Sequence, residues 1–116
     1  MKNIDNLKHD LRIEFEEDKE QAEDFFKNHS YKTALQLIED QITTVGPSIN
    51  YALDGYEVGY SFTVDKPHKY RAILSLYRTD DDGDVINELA PDYTMVCDDD
   101  GIKLLDSLDK PIKYIE

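Results

Sequence analysis

The first part of the chain has the spacing of apolar residues that is typical of an amphipathic helix. These residues recur three or four positions apart, at Ile4, Leu7, Leu11, Phe15, Ala22, Phe25 and Phe26. The spacing predicts a helix over residues 3–27. The alternation of Leu11, Ile13 and Phe15 also fits a short strand, followed by a helix that begins at Asp18. We favour the continuous helix because neither Gly nor Pro interrupts the segment.

Residues 28–30 interrupt this pattern, and a second helix is predicted after them. Ser30 is suited to cap a helix N-terminus, because its hydroxyl can accept a hydrogen bond from a backbone amide of the first turn. Apolar residues then recur at helical spacing, at Tyr31, Ala34, Leu35, Ile38, Ile42 and Val45. This pattern predicts a second amphipathic helix of about four turns.

The character of the chain changes near Gly46. No Gly or Pro precedes this residue, whereas all five Gly and all four Pro lie at or after it. Turn-forming residues then recur at regular intervals, which is typical of a sheet. We therefore expect one domain, with a helical part over residues 1–45 and a sheet part over residues 48–116.

Apolar and polar residues alternate through the second part of the chain, which predicts strands. The predicted strands cover 49–53, 56–64, 70–77, 85–89 and 93–97, with a final edge strand at 112–115. Asp54 and Gly55 are expected to join the first two strands in a type I′ turn, because both central residues of such a turn need positive φ. The acidic segments 80–84 and 98–101 are predicted as further turns.

Two segments leave room for more than one interpretation. Residues 102–108 fit either a short helix or another strand, and Gly59, in the middle of a strand, is expected to mark a bulge or a close backbone approach. In either case the elements predict an α+β fold. Two N-terminal helices pack on one face of an antiparallel β-meander of about four to six strands.

The charge of the chain restricts its partners. Thirteen Lys and Arg stand against 26 Asp and Glu, which gives a formal net charge of −13 at pH 7. The excess is spread evenly, with −7 over residues 1–58 and −6 over residues 59–116. Such a chain repels nucleic-acid phosphates and anionic lipid, and it attracts basic protein surfaces. The alternative is that the acidity serves solubility alone.

The single cysteine, Cys97, excludes an internal disulfide and a cysteine-rich zinc site. The first residues of the chain show no apolar core of a secretory signal, and no apolar run approaches the roughly 18 residues that span a bilayer. We therefore expect a protein of the reducing cytoplasm that is not embedded in a membrane.

No constellation along the chain predicts catalysis or a cofactor. The histidines His9, His29 and His68 are isolated, and none has a second ligand at metal-binding spacing. Nucleotide-binding glycine motifs and the Gly-x-Ser-x-Gly motif are absent from the sequence. Acidic neighbours raise the pKa of a thiol, so Cys97 is a poor candidate for a nucleophile.

The aspartate clusters fail as calcium loops. An EF-hand loop needs acids at positions 1, 3 and 5, with Gly at position 6. If Gly101 occupies position 6, position 1 is Val96, and if Gly83 occupies it, position 1 is Arg78. We therefore predict that the domain binds no metal.

The acidic segments are the candidate partner-binding residues. Seven carboxylates lie in two predicted turns, at Asp80, Asp81, Asp82, Asp84, Asp98, Asp99 and Asp100. Seven more lie on the first helix, at Glu14, Glu16, Glu17, Asp18, Glu20, Glu23 and Asp24. If these clusters fall on one side, they present spaced negative charge, as a nucleic-acid backbone does. Tyr77 and Tyr93, and also Tyr31, are candidate aromatic anchors beside them.

Two functional hypotheses follow, and neither is catalytic. The first is a small acidic binding protein that occupies a basic site on a partner protein, as inhibitors, nucleic-acid mimics and immunity-type proteins do. The second is an accessory or structural protein that acts through oligomerisation, for example as a homodimer. Its contact would be a sheet face or an apolar helix face that includes Leu7, Leu11 and Phe15.

Overall fold

The computed structural model describes residues 4–42, 56–86 and 92–112 of the chain. The helices are α1 (Ile4–Asn28) and α2 (Tyr31–Gln41), and the strands are β1 (Glu57–Lys66), β2 (Lys69–Tyr77), β3 (Tyr93–Asp98) and β4 (Gly101–Leu105). The four strands form one antiparallel sheet in the order β1-β2-β3-β4. The predicted α+β fold is therefore confirmed. The predicted strand at 49–53 and its turn at Asp54–Gly55 lie outside the described residues.

Helix α1 is continuous, and the alternative of a strand over residues 11–15 is wrong. Leu11 and Phe15 are fully buried, whereas Ile13 is 47% exposed on the other side of the helix. Leu7 is also fully buried on the same side as Leu11, as a helical period requires. The expectation that Leu7, Leu11 and Phe15 form an oligomer contact is thus wrong, because these side chains pack in the core.

Helix α2 begins where Ser30 predicts. The Ser30 hydroxyl accepts a hydrogen bond from the Thr33 amide at 3.4 Å, which is the geometry of a weak N-cap. Ala34 and Ile38 are buried, and Ile38 joins the core that α1 forms with the sheet. The helix ends at Gln41, and the Ile42 amide donates to the Ile38 carbonyl at 2.8 Å.

One face of the sheet is buried. We call the other the open face, and its described residues are half-buried or exposed. The buried face carries the core residues Tyr60, Phe62, Tyr70, Ala72, Leu74, Leu76, Met95, Cys97 and Leu104. Gly59, on the open face, pairs regularly with Ser75, and a Cβ at this glycine would make an ordinary 3.9 Å contact with the Ser75 Cβ. The expectation of a bulge or a close backbone approach at Gly59 is therefore wrong. The register shift of β1 lies between Val64 and Lys66.

The ambiguous segment 102–108 is a strand as far as Leu105 and a turn after it. The Asp106 side chain accepts hydrogen bonds from the amides of Leu108 and Lys110, at 2.8 and 3.0 Å, and so stabilises this turn. The Ile112 amide donates to the Leu104 carbonyl at 2.8 Å, which returns the chain to the edge of β4. The predicted strand residues 113–115 lie outside the described part of the chain.

Candidate functional site

The two acidic turns lie at opposite ends of the sheet. Strands β2 and β3 pair directly, with Leu76 opposite Tyr93 near one end and Ala72 opposite Cys97 near the other. The turn at 80–84 follows the first end, and the turn at 98–101 follows the second. At about 3.3 Å per residue, the length of β3 separates them by roughly 20 Å. The structure therefore does not bring all seven turn carboxylates together.

The turn at 80–84 is organised by its own first acid. The Asp80 carboxylate accepts hydrogen bonds from the backbone amides of Asp82 and Asp84, at 2.9 and 3.0 Å. The Asp80 amide also donates to the Asp84 carbonyl at 2.8 Å. The Asp80 carboxylate thus stabilises the turn itself. Asp80, Asp81, Asp82 and Asp84 are all exposed.

The turn at 98–101 is held against helix α1. The Lys19 ammonium donates to the Asp99 carboxylate at 2.6 Å, and the Arg12 guanidinium donates to the Asp98 carbonyl at 2.9 Å. The hydrogen bond to Asp99 raises the pKa of Lys19. Inside the turn, the Asp98 carboxylate accepts from the Asp100 amide at 2.9 Å. Two cationic side chains of α1 therefore fix this turn beside the helix.

The result is an acidic surface made from two elements. We call it the α1–turn surface and define it by Glu16, Glu23 and Asp99 around Lys19, together with Asp100, which follows Asp99 in the turn. The negative charges of Glu16 and Glu23 contribute to the raised pKa of Lys19, because both carboxylates lie near its ammonium group. Some of the predicted helix acids and some of the predicted turn acids thus share one side of the molecule.

A groove of about 350 Å³ continues this surface at the C-terminal end of α1. Its lining residues are Glu23, Asp24, Phe26, Lys27 and His68. The Glu23 carboxylate accepts a hydrogen bond from the Tyr70 hydroxyl at 2.6 Å, and the His68 Nδ1 lies 2.9 Å from its Oε2. The Tyr70 hydrogen bond is the main reason that the pKa of Glu23 is lowered, and the hydrogen bond with His68 adds to it.

The Phe26 ring forms the apolar part of the groove lining. The Phe26 ring stacks on Tyr31, with centroids 5.7 Å apart and planes 14° from parallel. The same ring lies 5.5 Å from His68 and 6.3 Å from Tyr70. These contacts fix the ring of Phe26 beside the Glu23 carboxylate.

His68 reaches Glu23 from a two-residue turn. Lys66 and Lys69 pair across this turn, which contains Pro67 and His68. The φ of His68 is 63°, a left-handed value that fits the third position of a type II turn after proline. Sequence reasoning gave His68 no role, and no local pattern signals its pairing, because Glu23 and His68 are 45 residues apart.

One predicted surface acid is inside the protein. Asp18 is only 6% exposed and accepts a 2.5 Å hydrogen bond from the Tyr60 hydroxyl. Burial raises the pKa of Asp18 to about 6, and the charges of Glu14 and Glu17 add to the shift. The signal for this was its position: Asp18 comes three residues after Phe15 and four before Ala22, on the apolar stripe of α1.

The two candidate aromatic anchors are not on one face. Tyr93 pairs with Leu76 on the side of the sheet that faces the helices, and its ring lies 6.0 Å from that of Tyr56. Tyr77 follows Leu76 and therefore points to the other face. Tyr31 stacks on Phe26, and Phe26 lines the groove together with Glu23 and Asp24.

Cys97 lies in the core, at the end of β3 that leads into the turn at 98–101. Its thiol accepts a contact of 3.2 Å from the Arg12 guanidinium, which lowers its pKa, but burial is the larger effect and the pKa is raised overall. A reactive thiol needs the opposite shift.

No described helix is long and apolar enough to cross a membrane. Among the described residues, no three His, Cys, Asp or Glu side chains gather as a metal-binding group. Comparison of the chain with protein-family models found no match, and comparison with curated proteins and with solved structures found none either.

Proposed function

We propose that this chain is a small, acidic, non-catalytic binding protein that occupies a basic site on a partner protein. The α1–turn surface is the docking face. The observation that carries the proposal is the 2.6 Å contact between Lys19 and Asp99, which joins the acids of a helix and of a turn in one surface. Inhibitors, nucleic-acid mimics and immunity-type proteins act through surfaces of this kind.

The α1–turn surface is favoured over the turn at 80–84 for a physical reason. Its acids stand on a helix anchored by the fully buried Leu11 and Phe15, and on a turn tied to that helix by Arg12 and Lys19. Groups that are already fixed lose less conformational entropy on docking. The turn at 80–84 offers exposed acids from one hairpin alone.

The net charge of −13 also supports the choice of partner. Long-range repulsion disfavours nucleic acid and anionic membranes, and the same field speeds association with a basic protein. A cytoplasmic location belongs to the proposal, because the single cysteine is a free, buried thiol and a reducing compartment preserves it in that state.

The test is a salt titration with a basic probe. The probe is a fluorescent octapeptide of four Ala-Arg repeats, and its citrulline analogue, which has the same shape without charge, is the control. We expect the Kd of the arginine peptide to rise about tenfold between roughly 50 and 300 mM NaCl, as binding led by charge does. Absence of binding at low salt, or an affinity independent of salt, contradicts the proposal.

A second candidate function is self-association through the open face of the sheet. Ile73 and Val96 pair side by side on this face, near Leu105, and the described helices lie on the other face. Light scattering after size exclusion tests this candidate. A dimer that Ile73→Ser and Val96→Ser together convert to a monomer supports it, and a monomeric wild-type protein at high concentration contradicts it.

A further inference from the structure

We infer that the groove at the end of α1 receives an arginine side chain of the partner, with the guanidinium on the Phe26 ring and paired with the carboxylates of Asp24 and Glu23. This inference rests on the proposed function and names the anchor of its docking face. The residues come from two elements, since Asp24 and Phe26 lie on α1 and His68 on the turn between β1 and β2.

The chemistry of the lining selects a cation. Two acidic residues, Glu23 and Asp24, line the groove with the ring of Phe26. A cation gains from both kinds of group, through ion pairing and through the negative face of the ring. Two basic residues also line it, but the His68 ring is already directed at Glu23 at 2.9 Å. Lys27 has an exposed side chain in the last turn of α1, where the helix dipole favours a cation.

The size of the groove selects one side chain. Its volume of about 350 Å³ is at the lower end of the range for ligand pockets, which suits a single side chain with some water. Guanidinium is planar, stacks on aromatic rings and pairs with carboxylates through two hydrogen bonds. An ammonium group has the charge of a guanidinium but neither the plane nor the paired geometry.

The groove is continuous with the docking face through Glu23. This carboxylate is near Lys19 on the α1–turn surface, and it also lines the groove. An arginine held in the groove therefore leaves neighbouring basic residues of the partner facing the α1–turn surface. Buried arginine anchors surrounded by weaker contacts are a common arrangement in protein interfaces.

The test uses a capped Ala-Arg-Ala tripeptide, with the citrulline tripeptide as control, in an amide NMR titration. We expect saturable shifts confined to residues near Asp24, Phe26 and His68 with the arginine peptide, and none with the citrulline peptide. Shifts that do not saturate, or equal shifts with both peptides, overturn the inference. If the octapeptide binds with a salt-dependent affinity but the tripeptide causes no shifts near the groove, this inference alone is overturned and the proposed function still stands.

Two variants and one control test whether Phe26 and Asp24 contribute to the affinity for the tripeptide. Phe26→Leu removes the ring and Asp24→Asn removes one exposed charge, and we expect each to weaken tripeptide binding about threefold to tenfold. Asp81→Asn makes the same charge change at the far end of the sheet and is expected to have no effect. If Phe26→Leu does not fold, Asp24→Asn carries the test by itself. Equal weakening by Asp24→Asn and Asp81→Asn contradicts the inference.

Discussion

The Tyr60 hydroxyl donates a 2.5 Å hydrogen bond to the Asp18 carboxylate, and this contact joins α1 to β1 inside the core. Asp18 is 6% exposed, and burial is the main reason that its pKa is raised to about 6. A carboxylate at this depth is costly when it is ionised, and the hydroxyl offsets part of the cost. The acid-rich helix therefore carries one ionisable group whose protonation is coupled to folding.

This coupling predicts that stability falls as pH rises from about 4 to 6. The folded protein holds the Asp18 proton up to pH 6, whereas the unfolded chain releases it near the ordinary value of 3.8. A pKa shift of this size lowers the free energy of unfolding by about 3 kcal/mol at most as the pH rises across that window. Denaturant unfolding at a series of pH values measures the slope.

Asp18→Asn is expected to remove that slope. An amide has no proton to release and still accepts the Tyr60 hydrogen bond, so the variant gains about 1–2 kcal/mol over wild type at pH 7.5 and nothing at pH 4. Glu17→Gln is the matched control, because it removes an exposed charge one residue away and should retain the slope. Equal slopes in wild type and Asp18→Asn would show that Asp18 does not titrate as described.

Removal of the Tyr60 hydroxyl is expected to destabilise the fold at neutral pH. Tyr60→Phe leaves the ionised Asp18 buried without its donor, which costs about 1–3 kcal/mol at pH 7.5 and less at pH 4.5, where Asp18 is protonated. Tyr70→Phe is the control, because its hydroxyl donates to Glu23, whose side chain is 42% exposed. Urea unfolding at the two pH values should rank the two variants in that order; the reverse order would contradict the assignment.

We predict opposite effects on stability when alanine replaces Gly101 and when it replaces Gly59. Gly101 has a φ of 127°, and no atom lies within 4 Å of a Cβ added there, so Gly101→Ala should cost about 1–2 kcal/mol through backbone strain alone. A Cβ at Gly59 would make only ordinary contacts, so Gly59→Ala should be neutral or stabilise the fold by up to about 1 kcal/mol. Thermal unfolding distinguishes them, and a larger loss at Gly59 than at Gly101 would refute this description.

Cys97 is expected to be unreactive in the folded protein. Its side chain is fully buried and burial raises its pKa, so Ellman's reagent should label it at least about a hundredfold more slowly than in denaturant. A useful control is Leu108→Cys in a Cys97→Ala background, because Leu108 is 72% exposed. Native labelling of Cys97 as fast as of that control would contradict its burial.

The helices and most of the described strands are predictable because one face of each element is buried, and burial imposes a period on the sequence. The same rule places Asp18, since its position on the stripe between Phe15 and Ala22 fixes its direction. Its acidic residue type alone predicts a place on the surface, which is wrong for Asp18. The Tyr60 hydroxyl that compensates its burial lies 42 residues away in the sequence, so no local pattern indicates it.

The relation between the two acidic turns depends on one strand. A strand at 85–89 between β2 and β3 would place both turns at the same end of a meander. Val85 forms only an isolated bridge to Thr79, and β2 pairs directly with β3, so the turns face opposite ends. The Asp-Gly sequences that predict each turn contain no information on the pairing of β2 with β3. The groove likewise depends on contacts between residues far apart in the sequence, such as Glu23 and His68.

The central claim is that binding depends on where the acids are, and one comparison of charge-matched variants tests it. The first variant combines Glu16→Gln, Asp99→Asn and Asp100→Asn on the α1–turn surface, and the second combines Asp81→Asn, Asp82→Asn and Asp84→Asn. Each removes three negative charges. The measurement is the Kd of the arginine octapeptide at about 50 mM NaCl. We expect the first variant to bind about tenfold more weakly than wild type and the second to stay within about twofold. Equal weakening, or greater weakening by the second variant, would contradict the account.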